Sequence, residues 1–233
     1  MREIRQGSHR KQIKGGCMIP CRICGTPTQS FKHPKMDILF HECPFCELIF
    51  KDESNHISKE KELEKYDLHQ NGDDNLGYVN FLTNFIDSAV TPHIKDGYVL
   101  DFGSGPNPLL SKILKNKYNF TVDIYDLYYA THKIYKEKKY DLITSTEVIE
   151  HLVDPLSSFK LFNDILKPGG FISIMTLFYP KDREQFFSWF YIRDITHLSF
   201  FTPRTMEVIA DLIGFKLIET NQYRYAVLQK PKG

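Results

Sequence analysis

The run YVLDFGSGP at residues 98–106 is the feature that most constrains this chain. An apolar stretch ends in an acid, Asp101, and two glycines, Gly103 and Gly105, follow with one residue between them. Apolar residues at helical spacing begin directly afterwards, over residues 108–114. Such a run reads as a buried parallel strand, a tight turn and the start of a helix. In open α/β sheets a ligand lies at that end of the strand, where glycine lets it approach the backbone closely. Asp101, Gly103, Ser104 and Gly105 are therefore candidate binding residues.

The flanking pattern extends the same α/β reading. Val79, Leu82, Phe85, Ile86 and Ala89 predict a leading helix capped by Asp74 or Asn75. Residues 120–125 predict a second strand ending at Asp126. Asp126 follows the glycine turn at the interval of about 20 residues at which a carboxylate binds the ribose of an adenine nucleoside. Asp123 is mid-strand and points to the other face from Ile124. Residues 139–147 predict a third strand reaching the same edge, with Thr146 and Glu147 at its end. A helix over 156–166 stops at KPGG, residues 167–170, and a strand follows over 171–177. A helix over 203–213 ends at Gly214, and strands over 215–220 and 225–229 close a mostly parallel sheet with an antiparallel pair. Pro108 stands where a dinucleotide-binding turn requires its third glycine, which points away from a nicotinamide cofactor.

All five cysteines fall within residues 17–46. Disulfides of a secreted fold would not leave the rest of the chain without thiols. Cys21 and Cys24 form one Cys-x-x-Cys knuckle and Cys43 and Cys46 another, flanking residues 25–42. Two such turns complete a tetrahedral zinc site, and the short apolar runs at 38–42 and 48–50 supply the hairpin of a zinc ribbon. A closed four-cysteine site is structural, so the ribbon reads first as a stabilising cap and second as a platform for substrate or partner. Cys17 is left over. The predicted organisation is a flexible basic leader at 1–16, the ribbon at 17–50, a charged connector with a solvated helix at 51–74, and the main domain at 75–233. A net charge of +1 gives no global field that recruits nucleic acid. No apolar run reaches the roughly 20 residues of a membrane span. The leader lacks the apolar core of a secretory signal, so a cytoplasmic protein is the expectation.

The order and spacing of VLDFGSG (99–105), Asp126, YDLI (140–143), EVIEH (147–151) and LKPGG (166–170) resemble the class I, Rossmann-like S-adenosylmethionine-dependent methyltransferases. The resemblance covers residues 75–231. It implies a seven-stranded sheet with an antiparallel last strand. It also implies that Tyr78, Asp101, Gly103, Ser104, Gly105, Asp126, Leu127, Thr146 and Glu147 contact S-adenosylmethionine. The chain departs from that family between Asp126 and Lys139, where too few residues remain for a strand and a helix. The third strand is therefore expected to be reduced, with Leu127 and Tyr128 packing on the adenine in its stead.

Glu147, Glu150 and His151 stand at i, i+3 and i+4, so they share a face if the segment is helical. His197 follows further on. Two carboxylates and two imidazoles suit a divalent cation. The set resembles the metal sites of small-RNA 2′-O-methyltransferases and of quinone-biosynthesis O-methyltransferases. That resemblance implies Glu147, Glu150, His151 and His197 as ligands of a second divalent cation that eases deprotonation of an acceptor hydroxyl. In the other reading Glu147 contacts the donor, and His151, with Glu150 and His197 as further catalytic candidates, acts as a base or structurally. Tyr66, His69 and Tyr78 are also candidates to line the site. The aromatic residues within 178–201 suggest an apolar acceptor pocket and hence O-methylation of a small, partly apolar molecule. An RNA or protein substrate read by the ribbon is the alternative, although Lys181, Arg183, Arg193 and Arg204 do not form a run. A non-catalytic protein that binds S-adenosylmethionine and a partner is the third reading. The ribbon is directly testable. Elemental analysis should find one zinc per chain, lost when Cys43 and Cys46 are both replaced by Ser; unchanged zinc in that variant overturns it.

Overall fold

Alternation within the central strands explains how one sheet carries helices on both faces. In this computed structural model, residues 18–67 and 75–233 are described, and the leader, Cys17 and His69 lie outside them. Strand β4 (Gly97–Phe102) pairs in parallel with β5 (Phe120–Tyr125) and with β6 (Tyr140–Thr146), and β6 pairs in parallel with β7 (Leu166–Met175). Strand β10 (Tyr225–Gln229) runs antiparallel to β7 and to β9 (Lys216–Thr220), giving the order β5-β4-β6-β7-β10-β9. Val99 and Leu142 face helices α2 (Leu76–Ala89) and α3 (Leu109–Tyr118). Their neighbours Leu100 and Ile143 face α4 (Pro155–Ile165) and α6 (Pro203–Ile213). Burial on both faces is what near-continuous apolar strands of this kind require.

The helix boundaries follow local chemistry. The Asn75 side chain accepts from the Tyr78 N–H at the start of α2. Thr202 and Thr205 form a reciprocal capping box at the start of α6, and Gly214 ends that helix in the left-handed region. Between β5 and β6 there is only a single-turn 3-10 segment, Ile134–Glu137. Tyr135 from that turn packs edge-on against Tyr125 at 5.0 Å. The sheet is thus six-stranded, with the expected third strand missing. Among the described residues no helix is long and apolar enough to cross a membrane.

The ribbon consists of β1 (Gln29–Lys32), β2 (Leu39–Glu42) and β3 (Ile49–Lys51) in antiparallel order. It does not end there. Strand β8 (Ser199–Phe200), far along the chain, adds to β3 with Ile49 opposite Phe200 and Phe50 opposite Ser199. Beneath this four-stranded sheet Phe40 and Ile49 share a core with Leu177, Tyr179, Phe186, Tyr191, Ile192 and Phe200. Most of the aromatic residues expected to shape an acceptor pocket are spent here instead. The physical reason is that the hydrophobic face of a single small sheet is buried only against another layer. Phe186, on α5 (Arg183–Ser188), sits at the centre, with Phe31, Phe40, Tyr179, Phe187, Trp189 and Phe200 around it. Phe186→Ala should lower the unfolding free energy by about 3–5 kcal/mol. Urea titration checks this, and a loss below about 1 kcal/mol would contradict a shared core.

Candidate functional site

The glycine turn after β4 is built for close approach. Gly103 and Gly105 both adopt positive φ, 83° and 66°. The N–H groups of Gly103 and Ser104 donate to the Tyr125 carbonyl at 2.7 and 3.2 Å, which ties the turn to the end of β5. A Cβ on Gly103 would lie 2.3 Å from Cγ2 of Val148, whereas one on Gly105 would meet nothing within 4 Å. Gly103 is thus required by a packed neighbour, and Gly105 faces open space. Ser104 Oγ is buried with no hydrogen-bond partner, so a polar group of a ligand would satisfy it.

Two acids support this turn in different ways. Asp101 is 1% exposed and accepts from Ser111 Oγ at 2.8 Å and Thr144 Oγ1 at 3.3 Å. Burial pushes its carboxyl up to about 6, and the two hydroxyls oppose that rise. It braces strand and helix from beneath. Asp126 accepts from the Gly105 N–H at 2.9 Å through one oxygen and from Tyr128 and Tyr129 N–H at 2.8 and 3.1 Å through the other. A carboxylate offers about four acceptor positions, so sites remain for ribose hydroxyls. Leu127 is exposed beside it, Thr146 lies opposite Met175 at the end of β6, and half-buried Tyr78 stacks on Phe81 at 6.0 Å.

The connector also reaches the site, which its charged composition did not reveal. Helix α1 (Lys59–Asp67) presents Glu62, whose carboxylate accepts from the hydroxyls of Tyr66 and Tyr128 at 2.8 and 2.6 Å. Asp67 accepts from Tyr129 at 2.6 Å. The Tyr66 ring stands edge-on to His151 at 5.4 Å. The polar aromatic cluster in the sequence was the available signal.

Residues 147–151 leave β6 without forming an α-helix, so the expected helical face is not what gathers the acids. Glu147 takes a left-handed backbone, φ 54°, with its N–H on the Met175 carbonyl at 2.8 Å, and only Ile149–His151 make a 3-10 turn. Tyr191 gathers them instead. Its hydroxyl is 3.0 Å from Glu147 Oε2 and donates to Glu150 Oε1. Glu150 is fully buried and its Oε2 has no hydrogen-bond partner. Burial, reinforced by Glu147, pushes its carboxyl up to about 8, and burial also raises Glu147. Glu150 therefore keeps its proton at neutral pH. Burial and then His197 push His151 down to about 3, so it is neutral.

Ligand atoms of Glu150, His151 and His197 lie within 4.8 Å of one another, while Glu147 stands outside that group. His151 Nδ1 is 3.1 Å from the Thr196 carbonyl and His197 Nδ1 is 2.9 Å from the Tyr191 carbonyl. A carbonyl only accepts, so both rings donate through Nδ1, and neutral His151 carries its lone pair on Nε2. Metal-binding histidines are oriented in this way. Tyr191, expected from the sequence only as one of the pocket aromatics, thus touches both acids by its hydroxyl and one imidazole by its carbonyl. Nearby, a cavity of about 380 Å³ is lined by Phe81, Phe85, Met175, Tyr223 and Arg224. The Arg224 guanidinium lies 4.0 Å from Glu147.

The ribbon thiols meet as their spacing predicts. Cys21 and Cys46 sulfurs are 3.5 Å apart, Cys24 and Cys43 sulfurs 3.4 Å, and all four lie within 4.8 Å. They are free thiols. A tetrahedron with metal–sulfur bonds of about 2.3 Å has edges of about 3.8 Å, so the donor set fits zinc. N–H groups of Ile23 and Cys46 approach Cys21 and Cys43 sulfurs at 3.4 Å, as in a metal knuckle.

The sequence profile of a family described as a methyltransferase domain matches residues 77–220. Among solved structures, mitomycin 7-O-methyltransferase MmcR aligns with a TM-score of 0.51 at 8% identity, over 64% of this chain and 53% of that one. An O-methyltransferase family protein from Burkholderia thailandensis aligns with a TM-score of 0.48 at 13% identity, over 67% and 56%. A methyltransferase from Pyrococcus furiosus gives 0.41 at 14%, over 66% and 83%. The chain thus spans little more than half the length of the first two, and the likeness to MmcR is one of fold. The turn itself yields a test. Gly105→Ala should cost about 1–2 kcal/mol, the left-handed strain alone. Gly103→Ala should add about 1–3 kcal/mol of overpacking against Val148. Equal destabilisation of the two in urea melts would overturn this assignment.

Proposed function

The chain belongs to the methyltransferase-domain family, and from that premise we propose that it uses S-adenosylmethionine to methylate a hydroxyl of a small, partly apolar acceptor. We assign Glu150, His151 and His197 as the residues available to hold a divalent cation beside that hydroxyl. The observation that carries the reading is their convergence next to Val148, the residue packed on the glycine turn. The donor fits the residues present: Gly105 leaves its side open, Ser104 Oγ lacks a partner, and Asp126 has acceptor positions to spare. When bound, the donor supplies an electrophilic methyl carbon, and a cation at the cluster acidifies the acceptor hydroxyl.

The chain's own residues have the remaining tasks. Asp126 and the Gly103–Gly105 backbone orient the donor, Leu127 and Tyr128 flank its base, and Tyr66 on α1 shields His151 from water. Tyr191 holds Glu150, and the backbone carbonyls of Thr196 and Tyr191 turn both imidazoles so that Nε2 faces the acceptor. Proton removal and alignment of this kind contribute typically 10²–10⁴-fold in rate. The apolar cavity at Phe81, Phe85 and Met175 suits the acceptor's apolar part. Charge pairing favours a small molecule over RNA. Lys181 is paired with Glu47, Arg183 with Glu42 and Arg204 with Glu207, so these cations are already engaged by the chain's own acids.

Labelled-methyl transfer into a fractionated metabolite extract tests the reading. Label should enter a small-molecule fraction, and turnover that instead depends on added RNA would overturn it. His151→Ala and His197→Ala should each lower kcat by at least about 100-fold while the donor Kd stays within about 3-fold. Gly105→Trp should abolish donor binding in calorimetry without loss of zinc. A metal count that stays at one per chain in excess Mg²⁺ or Mn²⁺, with chelator-insensitive turnover, would remove the second cation.

A further inference from the structure

We infer that the zinc ribbon positions the acceptor side of the site, by holding the loop that carries His197 against Glu150, and takes no part in holding the donor. This rests on the reading of Glu150, His151 and His197 as the acceptor cluster.

The bonds run through one short segment. The Lys51 N–H, at the end of β3, donates to the Leu198 carbonyl at 2.9 Å, and the Leu198 N–H donates to the Glu150 carbonyl at 2.7 Å. A single residue therefore separates the ribbon from Glu150, and that residue is the neighbour of His197. The Lys51 side chain grips the other end of the same loop. Lys51 is 2% exposed, and its Nζ donates to the Asp194 carbonyl at 2.7 Å. Burying an ammonium is costly and the Asp194 carboxylate offsets only part of that cost, so an apolar residue would pack more cheaply there. What the lysine adds is a fixed distance between ribbon and loop. Asp194 in turn accepts from the N–H and hydroxyl of Thr196, and the Thr196 carbonyl orients His151. Both imidazoles thus depend on a loop clamped at residues 194 and 198 by one ribbon residue.

The metal knuckle is tied in as well. The Cys46 carbonyl accepts from Thr205 Oγ1 at 2.9 Å, and the Glu47 carboxylate accepts from Thr202 Oγ1 at 2.9 Å. The Glu47 carbonyl accepts from the Tyr179 hydroxyl at 2.5 Å. Thr202 and Thr205 are the capping box of α6, which begins just beyond β8. The backbone beside the thiols is therefore joined to both ends of the segment that carries His197. A ribbon of this size depends on its metal to hold such geometry. The donor turn has a different support. Its hydrogen bonds run to Tyr125 and Asp126 at the end of β5, and none of them involves a ribbon residue.

The decisive experiment uses the full-length, zinc-loaded chain and Lys51→Met, which keeps the stem and removes the ammonium. Zinc content should remain one per chain, and the donor Kd in calorimetry should stay within about 2-fold of the parent. The imidazole signals of His151 and His197, assigned by NMR, should shift or broaden, and kcat should fall by about 10-fold or more. A second pair avoids dependence on one variant. Thr205→Val should reproduce these changes and Thr205→Ser should reverse them. Unmoved imidazole signals in both Lys51→Met and Thr205→Val, or a donor Kd weakened in step with kcat, would overturn the proposal. The two readings fail separately. If His151→Ala and His197→Ala leave turnover intact, the acceptor assignment falls, whereas if they abolish it while Lys51→Met does not, only the role of the ribbon falls.

Discussion

The contact between Gly103 and Val148 governs the rest of the site. Val148 occupies the space that a side chain on Gly103 would need, so the turn after β4 and the segment after β6 are set in direct contact. Fully buried Ile149 anchors the same segment in the core, and the Glu147 N–H on the Met175 carbonyl pins its start to β7. Three strands of the sheet thereby converge on a few residues. The left-handed step at Glu147 turns the chain back over the strand ends and carries Glu150 and His151 to the side of the glycine turn.

Electrostatics then decide the state of that cluster. Two carboxyls cannot both stay ionised in a buried site without a cation or strong donors. Here one phenol serves both acids, and Glu150 retains a proton. His151 stays neutral for the same reason of burial, and both imidazoles give an Nδ1 proton to a backbone carbonyl. The aromatic core that supports Tyr191 also supports the ribbon, so the small sheet and the chemical site share one hydrophobic foundation.

Much of this architecture was legible in the residues. Apolar runs ending in Asp101, Asp126 and Glu147 marked three parallel strands because a strand buried on both faces must be apolar throughout. Asn75 and Gly214 marked helix ends, because the side chain of the first satisfies an orphan backbone group and the absence of one in the second permits a left-handed turn. Other features left no local signal. Tyr191 is one aromatic among many in its segment, and nothing in its neighbours distinguishes a carboxylate partner from a core residue. Tyr66 was a candidate from its polar aromatic cluster, but nothing in the charged stretch before it told that Glu62 would reach Tyr128. The helical face expected for Glu147, Glu150 and His151 failed because the contact with Val148 and the bond to Met175 override a periodicity of only five residues.

The sequence alone determined the class of fold, the glycine turn, the four-thiol site and the family, since each depends on short-range spacing or on the buried pattern of a single element. Tertiary structure alone decided that the ribbon is built into the main domain, that the aromatic segment forms a core rather than a pocket, and that Tyr191 organises the acids. The pairing of β3 with β8 is two residues long and joins positions about 150 apart in the chain. A pairing so short has no periodicity to read. It exists because an exposed strand edge and an apolar face must both be covered, and the segment after His197 is what the fold brings alongside.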